Sequence, residues 1–503
     1  MNHSYAYKAN LSVLLAFYFY LLFSFIIGFI SISVGYYYPV YFTELQLALL
    51  ALAPLILFVI LAISLNKIPY LLLIGPLTWF LAIFSPIILL KSVFVILGII
   101  FSLLAMLELL QHVNAQTISA KMFIIVLFLT DQLIKATNQG QYPISNVSSI
   151  SIVVIIIATI IFLVFSYDFM NIEQVLEKSI SIEKKGFALS LIPLYFCTFL
   201  FIFVFSNNGI ISYGNNLNLN TSITLTVLVT LLSAILYLLV KDSILLTFKE
   251  IYLGVPASIL LSFTLLFYPW FNISVLLWPI GIISLVAIMQ CSLNTFTFKS
   301  KMSLIVFITV LYFSMVLLLF VILLTELYIL FIAMALIILV GILITSLNRT
   351  NGQIETTSKL PEKLILEKAW KYLHKKNNIH KYSIVVLLTL IISLSTSTPI
   401  FVTIEKPNFP SSGVRVMAYN LHFGQDNNGF DNIDDVYKLI TSEIAPSFIS
   451  FEEVMFNGPI NGYSNMFGRL KNLLGPAGYK YSYHTTNTPT FLTNAPVSFA
   501  DAT

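Results

Sequence analysis

Apolar runs of eighteen or more residues, separated by short polar breaks, recur along the chain from Leu11 to Pro399. A run of that length crosses a hydrocarbon layer of about 30 Å as a helix, with every backbone hydrogen bond made internally. The pattern predicts spans at 11–34, 45–65, 69–88, 92–110, 118–136, 150–167, 187–206, 222–241, 251–269, 273–292, 303–324, 327–346 and 382–400. Residues 1–400 therefore read as an all-α polytopic membrane bundle of about 13 helices. The breaks at Lys91, at 269–271 and at Thr325 separate tightly spaced pairs of spans. Joining two spans at any of them would reverse the side on which every later segment lies.

After Pro399 the pattern shortens, and Asn, Gly and charged residues become frequent. Val414 to Tyr419, Phe448 to Phe451 and Tyr479 to His484 read as strands. Asp431 to Ile440, with Asp431 as its cap, and Ser464 to Leu474 read as helices. The β-α-β-α-β order predicts an α/β layer over 401–503.

Composition sharpens the first reading: 58% of the residues are hydrophobic and 10% are charged, against about 25% charged in a soluble domain. The first run is preceded only by Lys8, is too long for a signal-peptide core and is followed by no small-residue cleavage site, so it is expected to be retained. Cys197 and Cys291 lie within apolar runs, where a thiol behaves as a small core hydrophobe.

Charge placement sets the expected orientation, because cytoplasmic loops are enriched in Lys and Arg. One alternating set of breaks holds Lys67, Lys121, Lys178, Lys184, Lys185, Lys241, Lys249, Lys299, Lys301 and a basic loop at 347–381; the other holds Lys91 and Lys135. The N-terminus is expected inside and the segment after the last span outside. Glycosylation-type sequons at Asn146, Asn220 and Asn272 fall in expected outer breaks, and one at Asn348 falls in an inner one. The helical stretch Pro361 to Lys376 in the basic loop has the spacing of a segment lying on an anionic leaflet, or of a plain topology anchor.

Ionisable side chains at bilayer depth are candidates for function. Here they are Asp131, next to Gln132, and Glu108. Asp131 suits an ion, a proton or a lipid headgroup, or a carboxylate hydrogen-bonded to a neighbouring helix. Glu108 is close enough to a span end to be solvated.

The run Arg415-Val416-Met417-Ala418-Tyr419-Asn420-Leu421-His422-Phe423-Gly424, followed by an Asp-Asn-Asn-Gly loop and by Pro446-Ser447-Phe448-Ile449-Ser450-Phe451-Glu452-Glu453-Val454, resembles the opening of the endonuclease/exonuclease/phosphatase superfamily, whose fold is a DNase I-like sandwich. The Asn-Leu-His-Phe-Gly variant is most similar to the branch of membrane proteins implicated in remodelling GPI-anchor lipid. The resemblance implies Asn420 and Glu453 as ligands of a catalytic Mg²⁺, with Glu452 where Gln is usual and His422 as a further neighbour of the site. Glu452 and His422 would act on the ligands or the phosphate through hydrogen bonds. The family's later motifs, Gly-Asp-x-Asn and Ser-Asp-His, do not occur in 488–503. The region is therefore expected to be an incomplete sandwich with an open edge and an uncovered apolar face, inactive as it stands: a fragment of a longer chain, the product of a frameshifted or degenerate gene, or a domain completed by another chain. His484, alone on its strand, is expected to be structural.

The resemblance implies a membrane-anchored phosphoesterase acting on lipid or glycolipid phosphates at the outer leaflet, with membrane lipids as partners. Arg415, Lys438, Arg469, Lys471 and Lys480 form no basic stripe, so nucleic acid is not favoured. The alternative is a non-enzymatic transporter, scaffold or lipid-binding multi-pass protein with a vestigial tail.

Overall fold

The computed structural model describes residues 2–33, 44–65, 70–112, 119–138, 142–144, 149–176, 191–205, 219–244, single positions between 256 and 264, 271–295, 301–325, 414–421, 424, 432–455, 466–484 and 494–500. The expected spans at 327–346 and 382–400, most of that at 251–269, and the basic loop at 347–381 lie outside them, as do His422, Asn146 and Asn348.

Helices dominate. They are α1 Asn2–Ile32, α2 Glu44–Ser64, α3 Leu71–Phe84, α4 Ile88–Gln111, α5 Ala120–Thr137, α6 Ser149–Leu176, α7 Leu191–Leu200, α8 Leu219–Ile244, α9 Phe271–Thr295 and α10 Lys301–Thr325. Helix α7 runs directly into a π-helical turn, Phe201–Phe205. By length and hydropathy, Tyr7–Ile32, Ile88–Gln111 and Ile150–Asn171 are each able to cross a membrane. The break between α3 and α4 falls at Ser85, Pro86 and Ile87, not at Lys91. Pro86 explains the position, since proline disfavours helical geometry at the residue before it. Lys91 and Lys135 on one expected side, and Lys121, Lys241 and Lys301 on the other, all counted with the breaks, lie inside α4, α5, α8 and α10, and Lys91 and Lys135 are buried. Asn220 and Asn272 likewise lie in the first turns of α8 and α9, not in open connections.

Helix α1 is enclosed along its whole apolar length and packs against α3, α4, α5 and α6. Gly98 of α4 admits the Phe25 ring against its backbone, a place that any Cβ would occupy. The Tyr18 hydroxyl donates to the Leu72 carbonyl at 2.7 Å, and the Trp79 indole donates to Ser24 at 3.2 Å. Cys197 and Cys291 are buried and form no disulfide, as an apolar setting implies. On α6 the opposite holds. Val153, Ile157, Ile160 and Val164 are each more than half exposed.

The C-terminal region holds a four-stranded sheet, in the order β1-β2-β4-β3. Its strands are β1 Val416–Asn420, β2 Phe448–Met455, β3 Tyr481–His484 and β4 Asn494–Ala500. Strands β1 and β2 are parallel, and β4 is antiparallel to β2 and β3. Helices α11 Ile433–Lys438 and α12 Met466–Ala477 share a core with the sheet, in which Met417, Ile449 and Phe451 meet Ile433, Val436, Met466 and Leu470. Asn432, not Asp431, precedes α11, and Asp431 is outside the described residues. A π-turn, Leu439–Ile444, follows α11.

Strand β4 has no counterpart in the sequence pattern, because Pro496 sits within it. The register shows why proline is tolerated there. Strand β2 bulges between Phe451 and Val454, and β3 ends opposite Val497, so neither neighbour pairs with position 496. Val416, Phe448, Ala500 and Tyr481 lie in one register row across the four strands. Val416 (69%), Phe448 (38%) and Tyr481 (66%) are exposed, so the face of the sheet away from the helices carries apolar surface.

Candidate functional site

The parallel pairing of β1 and β2 aligns their C-terminal ends: Asn420 lies opposite Glu452 in register, one residue from Glu453. The Leu421 amide then donates to the Glu452 carbonyl at 3.0 Å, which holds the exit of β1 beside the bulge of β2. The chain turns at Gly424, whose φ of 74° favours glycine and whose amide donates to Leu421 at 2.8 Å. An added Cβ at Gly424 would approach the Met466 methyl to 2.9 Å, so α12 closes the turn from behind.

Within the bulge Glu453 has a φ of 55°, a left-handed conformation in a residue with a side chain. Such geometry costs of order 1–3 kcal/mol and persists where the surroundings over-determine it. Its Oε2 is buried without a hydrogen-bond partner. A carboxylate oxygen withdrawn from water and left unpaired is a costly arrangement, and a cation removes the cost. Glu452, in contrast, is exposed.

The two acids predicted within the bundle are far apart in character. Glu108 is largely buried rather than solvated, and its Oε1 lies 4.0 Å from Nε2 of His112, one turn further along α4. Asp131 is completely buried on α5. Its Oδ1 accepts from the Tyr142 hydroxyl at 2.8 Å and lies 3.3 Å from the Lys135 ammonium, while its Oδ2 accepts from Gln132 Nε2 at 3.1 Å.

Comparison with family models, curated proteins and solved structures finds no match to this chain.

Lys135 is the member of the Asp131 cluster that a reading of polar breaks passes over. Its ammonium donates to the Ile202 carbonyl at 3.2 Å and lies 4.6 Å from the centre of the Tyr142 ring. Ile202 belongs to the π-turn at the end of α7. The wider winding of such a turn displaces a carbonyl from the regular ladder, and π-turns are frequent at functional positions. Tyr142, Pro143 and Ile144 fold inward between α5 and α6 and are buried. Ile144 packs against the backbone of Gly28, where a Cβ would lie 2.5 Å away, and its carbonyl accepts from Lys91 at 3.1 Å.

A Mg²⁺ ion takes oxygen ligands, keeps several waters and needs few protein groups. The donor set at the ends of β1 and β2, an amide oxygen on Asn420 and a carboxylate on Glu453, fits that demand. Among the described residues no three His, Cys, Asp or Glu side chains converge on one point, so a closed, all-protein metal cage of that kind is not formed there.

Proposed function

We propose that the protein is a multi-pass membrane protein whose C-terminal region is a Mg²⁺-dependent, phosphoesterase-like domain directed at lipid or glycolipid phosphates. One observation carries the reading: Glu453, held in a strained bulge with a buried and unpartnered carboxylate oxygen, at the strand end next to Asn420. A buried orphan oxygen in strained backbone is expected where a ligand completes the site. The resemblance of Arg415 to Val454 to a DNase I-like domain supplies the chemical class. A metal bound there neutralises charge developing on a phosphoryl group. Asn420 and Glu453 would hold it, and Glu452 faces solvent beside them.

Membrane residence is supported by the long apolar helices and by the exposed aliphatic face of α6, which water does not favour. A bundle of about 13 spans with the N-terminus cytoplasmic and the C-terminal domain outside accounts for the positions of the basic residues. Tethering holds the domain at high effective concentration with bilayer phosphates.

The test uses the full chain in lipid nanodiscs. Mn²⁺, as a paramagnetic substitute for Mg²⁺, is expected to bind and to be displaced by Mg²⁺, and Glu453→Gln is expected to abolish binding. A Glu453→Gln protein that binds the metal as the wild type does would refute the assignment. Protease treatment of intact cells should remove an epitope placed at Thr503, and protection of that epitope until lysis would refute the orientation.

A further inference from the structure

The cluster around Asp131 is not explained by a phosphoesterase-like domain, and it is more than a salt bridge. Asp131 carries two carboxylate oxygens, the Tyr142 phenol oxygen lies 2.8 Å from one of them, and the carbonyl of Ile202, within the π-turn, accepts from the Lys135 ammonium at 3.2 Å. Gln132, completely buried, binds Asp131 through its amide nitrogen and leaves Oε1 without a hydrogen-bond partner. Two oxygens, Asp131 Oδ1 and the Ile202 carbonyl, meet the Lys135 ammonium over the face of the Tyr142 ring. Asp131 Oδ2, the Tyr142 hydroxyl and the unpartnered Gln132 Oε1 belong to the same cluster of side chains around one formal negative charge. This is the donor set of a hard monovalent cation. A divalent ion would leave an uncompensated charge in an apolar interior, whereas a single positive charge leaves the cluster neutral.

We propose that this cluster is an alkali-cation site of the bundle, filled in the present conformation by the cation that the chain itself carries, the Lys135 ammonium, and open to Na⁺ when that ammonium withdraws. A buried ion pair adds little stability over an apolar pair of similar volume. The pair is better explained as a lock. Lys135, on α5, ties the Tyr142 ring and the π-turn of α7 to Asp131, and its departure releases the Ile202 carbonyl and one face of the Tyr142 ring together.

The experiment compares thermal unfolding of the full-length protein in nanodiscs, in sodium chloride and in choline chloride at equal ionic strength. In Lys135→Ala, sodium is expected to raise the midpoint by several degrees, saturably, as for a ligand that binds only the folded state. The neutral double variant Asp131→Asn/Lys135→Met is expected to fold and to melt at the same temperature in both salts. Equal melting of Lys135→Ala in the two salts overturns the proposal, as does its failure to fold in sodium while the double variant folds. A sodium effect that persists in the double variant also overturns it, because the effect is then not at Asp131. A double variant that does not fold does so too, because neutrality is then not what the cluster requires.

Discussion

Asp131 in the bundle and Glu453 in the sheet region both have oxygens withdrawn from water, and the chain treats them in opposite ways. Asp131 receives a hydroxyl, an amide and an ammonium, all from within 11 residues of its own position. Glu453 has one oxygen buried without a partner and a backbone bent into the left-handed region. A carboxylate compensated internally holds structure together. One left uncompensated by the chain marks a place where something from outside completes it.

The largest effect expected from breaking this contrast is at Asp131. Asp131→Leu leaves the Lys135 ammonium buried without its carboxylate and should destabilise the protein by about 3–5 kcal/mol, read as a fall in thermal midpoint in nanodiscs. Asp131→Asn keeps the shape and part of the hydrogen bonding and should cost less. Equal losses in the two variants would show that volume, not charge, matters there.

Next comes the packing around α1. Gly98→Ala places a methyl where the Phe25 ring lies and should cost about 1–3 kcal/mol. The companion Phe25→Leu change should recover part of this in a double-mutant cycle, and strict additivity would sever the two sites.

Glu453→Gly should act in the opposite direction. Glycine adopts positive φ without strain and carries no carboxylate, so stability without metal is expected to rise by about 1 kcal/mol while metal binding is lost. Denaturant unfolding with and without Mg²⁺ separates the two effects, and a destabilised Glu453→Gly would show that the carboxylate is structural after all. The smallest change is Tyr479→Phe, which removes a buried hydroxyl donating to the Pro446 carbonyl at 2.7 Å. About 1 kcal/mol is expected from denaturant midpoints, with no change in metal affinity.

Hydrophobic periodicity shows the helices because each apolar run is long and its polar breaks are few. It misplaces Lys91 because a single charge within an apolar run looks like a break, and it gives Lys135, near the end of its span, no buried role. Here the ammonium groups find the carbonyls of Ile144 and Ile202, which lie 53 and 67 residues away and cannot be foreseen from local pattern. The π-turn after Leu200 has no compositional sign, since Phe201 to Phe205 continues the apolar run. In the sheet, Val416 to Asn420 and Phe448 to Phe451 are legible from β-branched and aromatic residues. Strand β4 is not, because Pro496 reads as a breaker unless the bulge opposite is known. Asn420 and Glu453 were visible only through resemblance; the strain at Glu453 belongs to the register of β2 against β4.

The enclosure of α1 has a consequence for biogenesis. Helix α1 precedes in the chain all four of the helices that enclose it. Its enclosure is complete only once α3, α4, α5 and α6 have all been made. A chain interrupted before α6 is therefore expected to leave the aromatic surface of α1 without part of its cover.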